Sequence, residues 1–400
     1  MNKNTAKVRI WRTTRCLFLA MGALLMVVPS VATPADDGDT LRVEKKPKGV
    51  MRLIYGIKNF MDSSAVRGLD KNFIEAPQRP WQVILKGNVN QSDLRMEATI
   101  NGAGLIGEGA SDILWAPRIK TVPSTYVGLW AGYRGYGFGY MKNIGGDNGT
   151  YLTLGATGGS YGVNFRSHKF DTSEPIIRFK GQLTDEPFDI TEKANLDEPI
   201  DVHTIFADAY YLFNGKHFSY AAAYDQSVIQ RRSAGSLMVG ATFYHINIDY
   251  AKHKNAPFIN LMNDIGRFKQ WQAGVGIGYA YNLVPCRGLL ISVMAMPVLV
   301  FYNRSTSYHY DSNFNEIVDL EDLLSDDDSY MDKVKITPTG KDSQNNHMVL
   351  NYDARLSVVY NWKNMFLNVS GQYNYFHYEK QSYSGRLYDW FINASVGIRL

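Results

Sequence analysis

The sequence predicts an all-β protein, an antiparallel β-barrel of the outer-membrane type with about 12 strands (within 10–14) and a short N-terminal amphipathic helix. Three observations carry that prediction. First, residues 201–250 hold three long runs, DVHTIFADAYYLF, HFSYAAAYDQSVIQ and SAGSLMVGATFYHINIDY, joined by short polar connections at Asn214-Gly215-Lys216 and Arg231-Arg232. In the last run Leu237, Val239, Ala241 and Phe243 share one face, and Ser236, Gly240, Thr242 and Tyr244 the other, the period of two expected of a strand. Second, the most apolar stretch of the chain beyond its N-terminus, LLISVMAMPVLVF at residues 289–301, is short and contains Pro297. It is too short for a spanning helix and reads as a strand with an unusually oily inner face, which excludes a helical-bundle membrane protein. Third, the chain ends on a strand in which Trp390, Ile392, Ala394, Val396, Ile398 and Leu400 are all apolar, with Asn393, Ser395, Gly397 and Arg399 opposite.

Taken in order, residues 1–32 read as a cleaved signal peptide. Lys3, Lys7, Arg9, Arg12 and Arg15 precede an apolar core at residues 17–28, and Ser30-Val31-Ala32 supplies small residues for cleavage. This segment holds five basic and no acidic residues, so its removal takes the formal net charge from +4 to −1. A nucleic-acid partner then has no electrostatic support. Cys16 leaves with the signal, and Cys286 alone can form neither an internal disulfide nor a metal site. Residues 33–48 form a polar leader, residues 49–80 a helix and linker, and residues 81–400 the barrel. In VMRLIYGIKNFM, Val50, Leu53, Ile54, Ile57, Phe60 and Met61 recur at helical spacing.

The strand pattern begins at Trp81, where Val83, Leu85 and Val89 alternate with Gln82, Lys86 and Asn88, and Ile84 breaks the alternation. STYVGLWAGYRGYGFGYMKN reads as a hairpin turning at Arg134-Gly135, and further strands are expected within residues 150–170, 268–281, 288–302, 348–360, 365–378 and 387–400. Connections at residues 230–233, 282–287 and 361–364 are short, whereas 171–200, 251–267 and 303–347 are long and polar. Barrels keep short turns on the periplasmic side and long loops outside. Counting back from the last strand places 251–267 and 303–347 outside, but 171–200 inside.

Candidate functional residues are few. No Walker-type loop, HExxH or paired CxxC is present, and GLIGEGA at residues 104–110 lacks the strand-to-helix setting of a dinucleotide site. No cofactor is indicated. His217 and Ser219 fall two apart on an expected strand and are the one pair that suggests nucleophilic catalysis. The acidic segment at residues 311–332, with Asp326, Asp327 and Asp328, offers clustered oxygens for a cation but matches no EF-hand spacing. Arg95, Glu97, Arg166, Asp208, Asp225 and Arg355 are the expected lumen-lining charges. Tyr126, Trp130, Tyr250, Tyr302, Trp362 and Trp390 are the expected membrane-interface aromatics.

The segment FSYAAAYDQSVIQRRSAGS, the Tyr210-Tyr211 and Phe213-Asn214 pairs before it, LDKNFIEAP and WAGYRGYGFGY together resemble a family of uncharacterised, mainly Bacteroidetes proteins catalogued as domain of unknown function 4421. The resemblance covers roughly residues 49–400. It implies an outer-membrane or envelope location and a β-rich, barrel-like fold, and no activity. The expected protein is a monomeric outer-membrane barrel with a largely filled lumen and a structural, binding or narrow solute-passage role. Its expected partners are membrane lipid and the barrel-assembly machinery, which reads the last strand. Two alternatives stand beside it: a barrel-borne lipid or peptide hydrolase, and a soluble periplasmic β-rich binding protein.

Overall fold

A computed structural model describes residues 49–400 except 101–112, 116–117, 175, 184–185, 194, 197, 263, 314–331 and 381–382. The described residues as far as Asp62 form one unit, and those from Ser63 to Leu400 a second. Helix α1, Val50–Val66, carries the expected apolar spacing and an i,i+4 ion pair, Lys58–Asp62 at 2.9 Å. It ends at Gly68, whose φ of +77° is the left-handed conformation that stops a helix.

The second unit is a closed ring of twelve antiparallel strands. They are β1 (Trp81–Ile100), β2 (Ser124–Tyr133), β3 (Tyr136–Gly145), β4 (Asn148–Thr157), β5 (Tyr161–Thr172) and β6 (Ile200–Leu212). The second half holds β7 (Ala234–Asp249), β8 (Ile265–Cys286), β9 (Leu289–Ser312), β10 (Val349–Trp362), β11 (Met365–Lys380) and β12 (Tyr383–Arg399). Each strand pairs with the next in sequence, and β12 closes on β1 in continuous register from Arg399↔Gln82 to Tyr383↔Ala98. Trp81 and Leu400 exchange both backbone hydrogen bonds at what we call the proximal end of this seam.

Period two sorts side chains across the wall. In β10 every odd residue from Val349 to Val359 is buried and every even one from Leu350 to Val358 is exposed. The outer face is apolar: Leu237 is 57% exposed, Ile277 70%, Leu299 49%, Leu367 56% and Ile392 50%. At roughly 3.3 Å per residue and a tilt near 45°, the apolar stretch 289–301 of β9 spans about 30 Å along the barrel axis, the thickness of a bilayer core. Beyond it β9 turns polar (NRSTSYHYDS) and pairs with a further strand, Ile336–Asn345, at the distal end. The Ile176–Leu183 and Glu186–Lys193 hairpin is another distal addition, sitting between β5 and β6 in sequence.

Two expectations are corrected here. The run 217–230 is not a strand of the wall: residues 213–233 leave the wall after β6, form the short helix α2 (Tyr220–Tyr224), and rejoin at β7. The Ala221–Ala223 run favours helix over strand, and Ser219 caps it by accepting from the Ala222 backbone N–H at 3.2 Å. With that strand removed, the alternation places the described residues of 173–199 at the same distal end as the described residues of 250–264 and 313–348. Residues 81–100 form one continuous strand.

Candidate functional site: a stoppered lumen

The lumen is built in layers. At the proximal end lies residues 213–233, which we call the stopper, joined by the N-terminal segment through a two-residue ladder, Ile74↔Gln230 and Glu75↔Ile229. Ala221, Ala222, Ala223 and Val228 pack against Ile74, Ile84, Trp130, Leu290, Val359 and Phe366. Phe218 and Tyr220 pack against Met238, Met294, Met296, Val298 and Val300. The oily inner face of β9 and the break in alternation at Ile84 have one cause: both strands wall a protein segment, not water.

Polar wall groups satisfy the stopper's backbone. Ser357 Oγ donates to the Ala223 carbonyl at 2.6 Å, and Asn282 Nδ2 to the Ser219 carbonyl at 2.8 Å. The Gln226 carbonyl accepts from Gln82 Nε2 at 2.6 Å and from Arg399 Nε and Nη2 at 3.1 and 2.9 Å. Gln226 holds φ +59°, an unusual conformation for a residue with a Cβ. Its carbonyl thereby reaches the first and last strands together, so the stopper is fastened to the seam that closes the barrel. Arg399, 1% exposed, also bonds Asn361 and lies over the Phe366 ring.

Above the stopper is a chamber of about 170 Å³. Its walls carry Lys86, Asn88, Trp130, Asn164, Arg166, Asp208, Tyr220, Asp225, Arg355 and Asn393. Arg355 is fully committed: it pairs with Asp208 at 3.1 Å and with Asp353, and donates to the Tyr220 hydroxyl of the stopper. Asp208 also accepts from Asn164 at 2.9 Å. Asp225 accepts from the Thr157 hydroxyl and from the Ser227 backbone N–H at 2.8 Å. Arg166 is held 3.7 Å from Asp389 and 4.1 Å from the centroid of Phe391. Lys86 Nζ stands 5.3 Å from the Trp130 ring. Trp130 lies flat along its hairpin because Gly132, Gly137 and Gly139 leave room; a Cβ on Gly137 would sit 1.9 Å from the indole. Further up, Phe206, Tyr244, Ile246, Ile248, Phe376 and Leu387 cluster with Phe258, Ile259 and Met262 from the region of helix α3, Ala256–Leu261.

Of the six expected lumen charges, Arg166, Asp208, Asp225 and Arg355 converge on this chamber, Asp225 from the stopper and not from a strand. Arg95 and Glu97 do not. They share the parity of Val83, Leu85 and Val89 on the outer face of β1, near its distal end, where Arg95 bonds Asp93 and stacks on Tyr388. Of the interface aromatics, Tyr302 (42% exposed), Trp362 (60%) and the half-buried Trp390 are on the outer side. Tyr126 and Trp130 point inward and are buried, and Tyr250 packs on Phe258 beyond the end of β7. His217 and Ser219 share no strand: Ser219 Oγ caps α2, while His217 Nδ1 faces Asn214 and its Nε2 lies 3.5 Å from Asp70. No hydrogen bond joins the two among the described residues. Residues 1–48, the glycine-rich segment 104–110, and Asp326, Asp327 and Asp328 lie outside the described residues. Lys86, Asp353 and Asp389 are lumen charges that the sequence reading missed. Lys86 shares the inward parity of Gln82 and Asn88, which is the signal that marks it.

Several solved structures are similar to this chain. The chain is similar to the outer membrane protease OmpT of Escherichia coli, with 10% identity over 82% of this chain and 98% of that one and a TM-score of 0.40. It is also similar to an outer membrane channel from Pseudomonas putida F1 (10% identity, 81% and 97% covered, TM-score 0.27). The toluene transporter TodX of P. putida gives 7% identity, 81% and 91% covered, and a TM-score of 0.27. No curated protein matches by sequence. Residues 117–399 match the family described as Domain of unknown function (DUF4421), and the chain belongs to that family.

Proposed function

We propose that this protein is an outer-membrane barrel that binds within the envelope and does not conduct, its lumen closed by its own residues 213–233. The observation that carries this reading is the stopper: a buried segment of the chain occupies the proximal lumen and is bonded to both seam strands. An open pore needs a continuous wet path, and the oily packing around Ala221–Ala223 leaves none at this level. The apolar outer face supports a membrane setting, since it would be a large exposed patch in water. In this setting the proximal end is periplasmic, the distal additions face outward, residues 1–32 direct export, and the apolar stripe of β12 is what the assembly machinery reads. The soluble alternative leaves that outer face unexplained, and the hydrolase alternative loses its pair, because Ser219 is a helix cap.

Two assays test the proposal. The unboiled protein from the outer-membrane fraction should migrate faster than the boiled one on electrophoresis. Proteoliposomes holding the folded protein should take up small neutral solutes no faster than empty ones. Recovery in the soluble periplasmic fraction overturns the membrane reading, and swelling at porin-like rates overturns the closed lumen.

A further inference from the structure

Within the chamber, the charges divide into those already engaged and those left over. Asp208 and Arg355 satisfy each other with Asn164 and Asp353, and Asp225 is held by Thr157 and Ser227. Asp389, behind Arg166, accepts from Ser92 at 3.1 Å and Asn374 at 3.5 Å. Two cations keep unspent hydrogen-bonding capacity: Arg166 meets Asp389 only as an ion pair at 3.7 Å, and Lys86 meets Asp225 only through space. Lys86 Nζ and the Arg166 guanidinium make no hydrogen bond among the described residues, although both line the chamber beside aromatic rings. A cation withdrawn from bulk water without acceptors is costly, and an oxygen-rich ligand supplying them is the chemistry that offsets this. The ammonium suits a single oxygen and the planar guanidinium suits a paired one.

We infer that the chamber is a binding site for a small oxyanion, a carboxylate or a phosphate, held between Lys86 and Arg166. The chamber, about 170 Å³, suits an occupant such as inorganic phosphate or a compact organic acid, with the Trp130 and Phe391 rings as walls. The inference rests on the closed-lumen reading, which is what makes the space a chamber.

The test is calorimetric titration of the full-length protein in detergent micelles with inorganic phosphate and, separately, with benzoate, at constant ionic strength. Saturable one-site binding of at least one anion is expected; which one binds identifies the phosphate or the carboxylate source. Lys86→Gln and Arg166→Gln should each weaken it at least tenfold, Arg166→Lys less, and Arg95→Gln on the outer face not at all. Retention of the heat-shifted electrophoretic band shows that each variant is folded. Binding unchanged in the folded Lys86→Gln/Arg166→Gln double variant, or no saturable heat from either anion with the intact protein, overturns the inference. Failure of the closed-lumen reading would show separately, as solute uptake by proteoliposomes.

Discussion

The stopper and the chamber occupy the same tube, a few residues apart along the same strands, and they are filled in opposite ways. On β10, Val359 and Ser357 meet the stopper while Arg355 and Asp353, two and four residues further on, form an ion cluster. On β1, Ile84 is sealed against the stopper and Lys86, the next inward residue, faces open space. The stopper is held by packing with polar wall groups tending its backbone, whereas the chamber is held open by charges that cannot be packed over. The chamber charges meet the stopper through the Arg355–Tyr220 hydrogen bond and through Asp225, which the stopper itself supplies.

The largest expected effect comes from breaking the chamber's own framework. Arg355→Met leaves Asp208 and Asp353 buried without their cation, and loss of one partner from such a cluster typically costs about 3–5 kcal/mol. Denaturant titration of the folded band should show that loss; a change below about 1 kcal/mol would mean that solvent already compensates the carboxylates. Arg399→Ala sharpens the other half of the comparison. It removes two hydrogen bonds to the Gln226 carbonyl, and charged hydrogen bonds contribute about 1.5–3 kcal/mol. The temperature at which the unboiled band converts should fall, and protease should reach residues 213–233 more readily.

Asp147 lies outside both regions, in the distal turn between β3 and β4. Burial, with Glu174 and Asp171 nearby, pushes its carboxyl up to about 6. Because the folded value lies above the unfolded one, the group favours the fold most at low pH, and that contribution is lost as pH rises from about 3.9 through about 6. Asp147→Asn should therefore stabilise at pH 8, on the order of 1–2 kcal/mol, and be nearly neutral at pH 4. Equal effects at both pH values would contradict the assignment. The smallest change is Ser219→Ala, which removes the α2 cap at about 1 kcal/mol and should leave any catalytic assay unaltered.

The wall was legible in the sequence because period two survives wherever one face meets an apolar phase, as in β7 and β12. The Arg134-Gly135 turn was legible too, since both residues adopt positive φ, at 52° and 88°. Residues 217–230 have the length and flanking turns of a strand but not its alternation, which the Ala run lacks. Alternation also separates two faces without saying which is inside. Trp130 and Tyr126 therefore fit an outer girdle by residue type yet lie inward, on the side that the glycines at 132, 137 and 139 leave open for the indole. Arg95 and Glu97 show that a charge on a barrel strand does not require a wet lumen. β1 continues past the apolar belt, where its outer face is tolerant of charge.

Single-channel conductance in planar bilayers, comparing the intact protein with a variant in which residues 214–231 are replaced by a short Gly-Ser linker, tests the stopper most directly. The intact protein should show no steady current steps, and the excised variant, still heat-modifiable, should show them. Steady large steps from the intact protein, or silence from a folded excised variant, would contradict a lumen closed by its own residues 213–233.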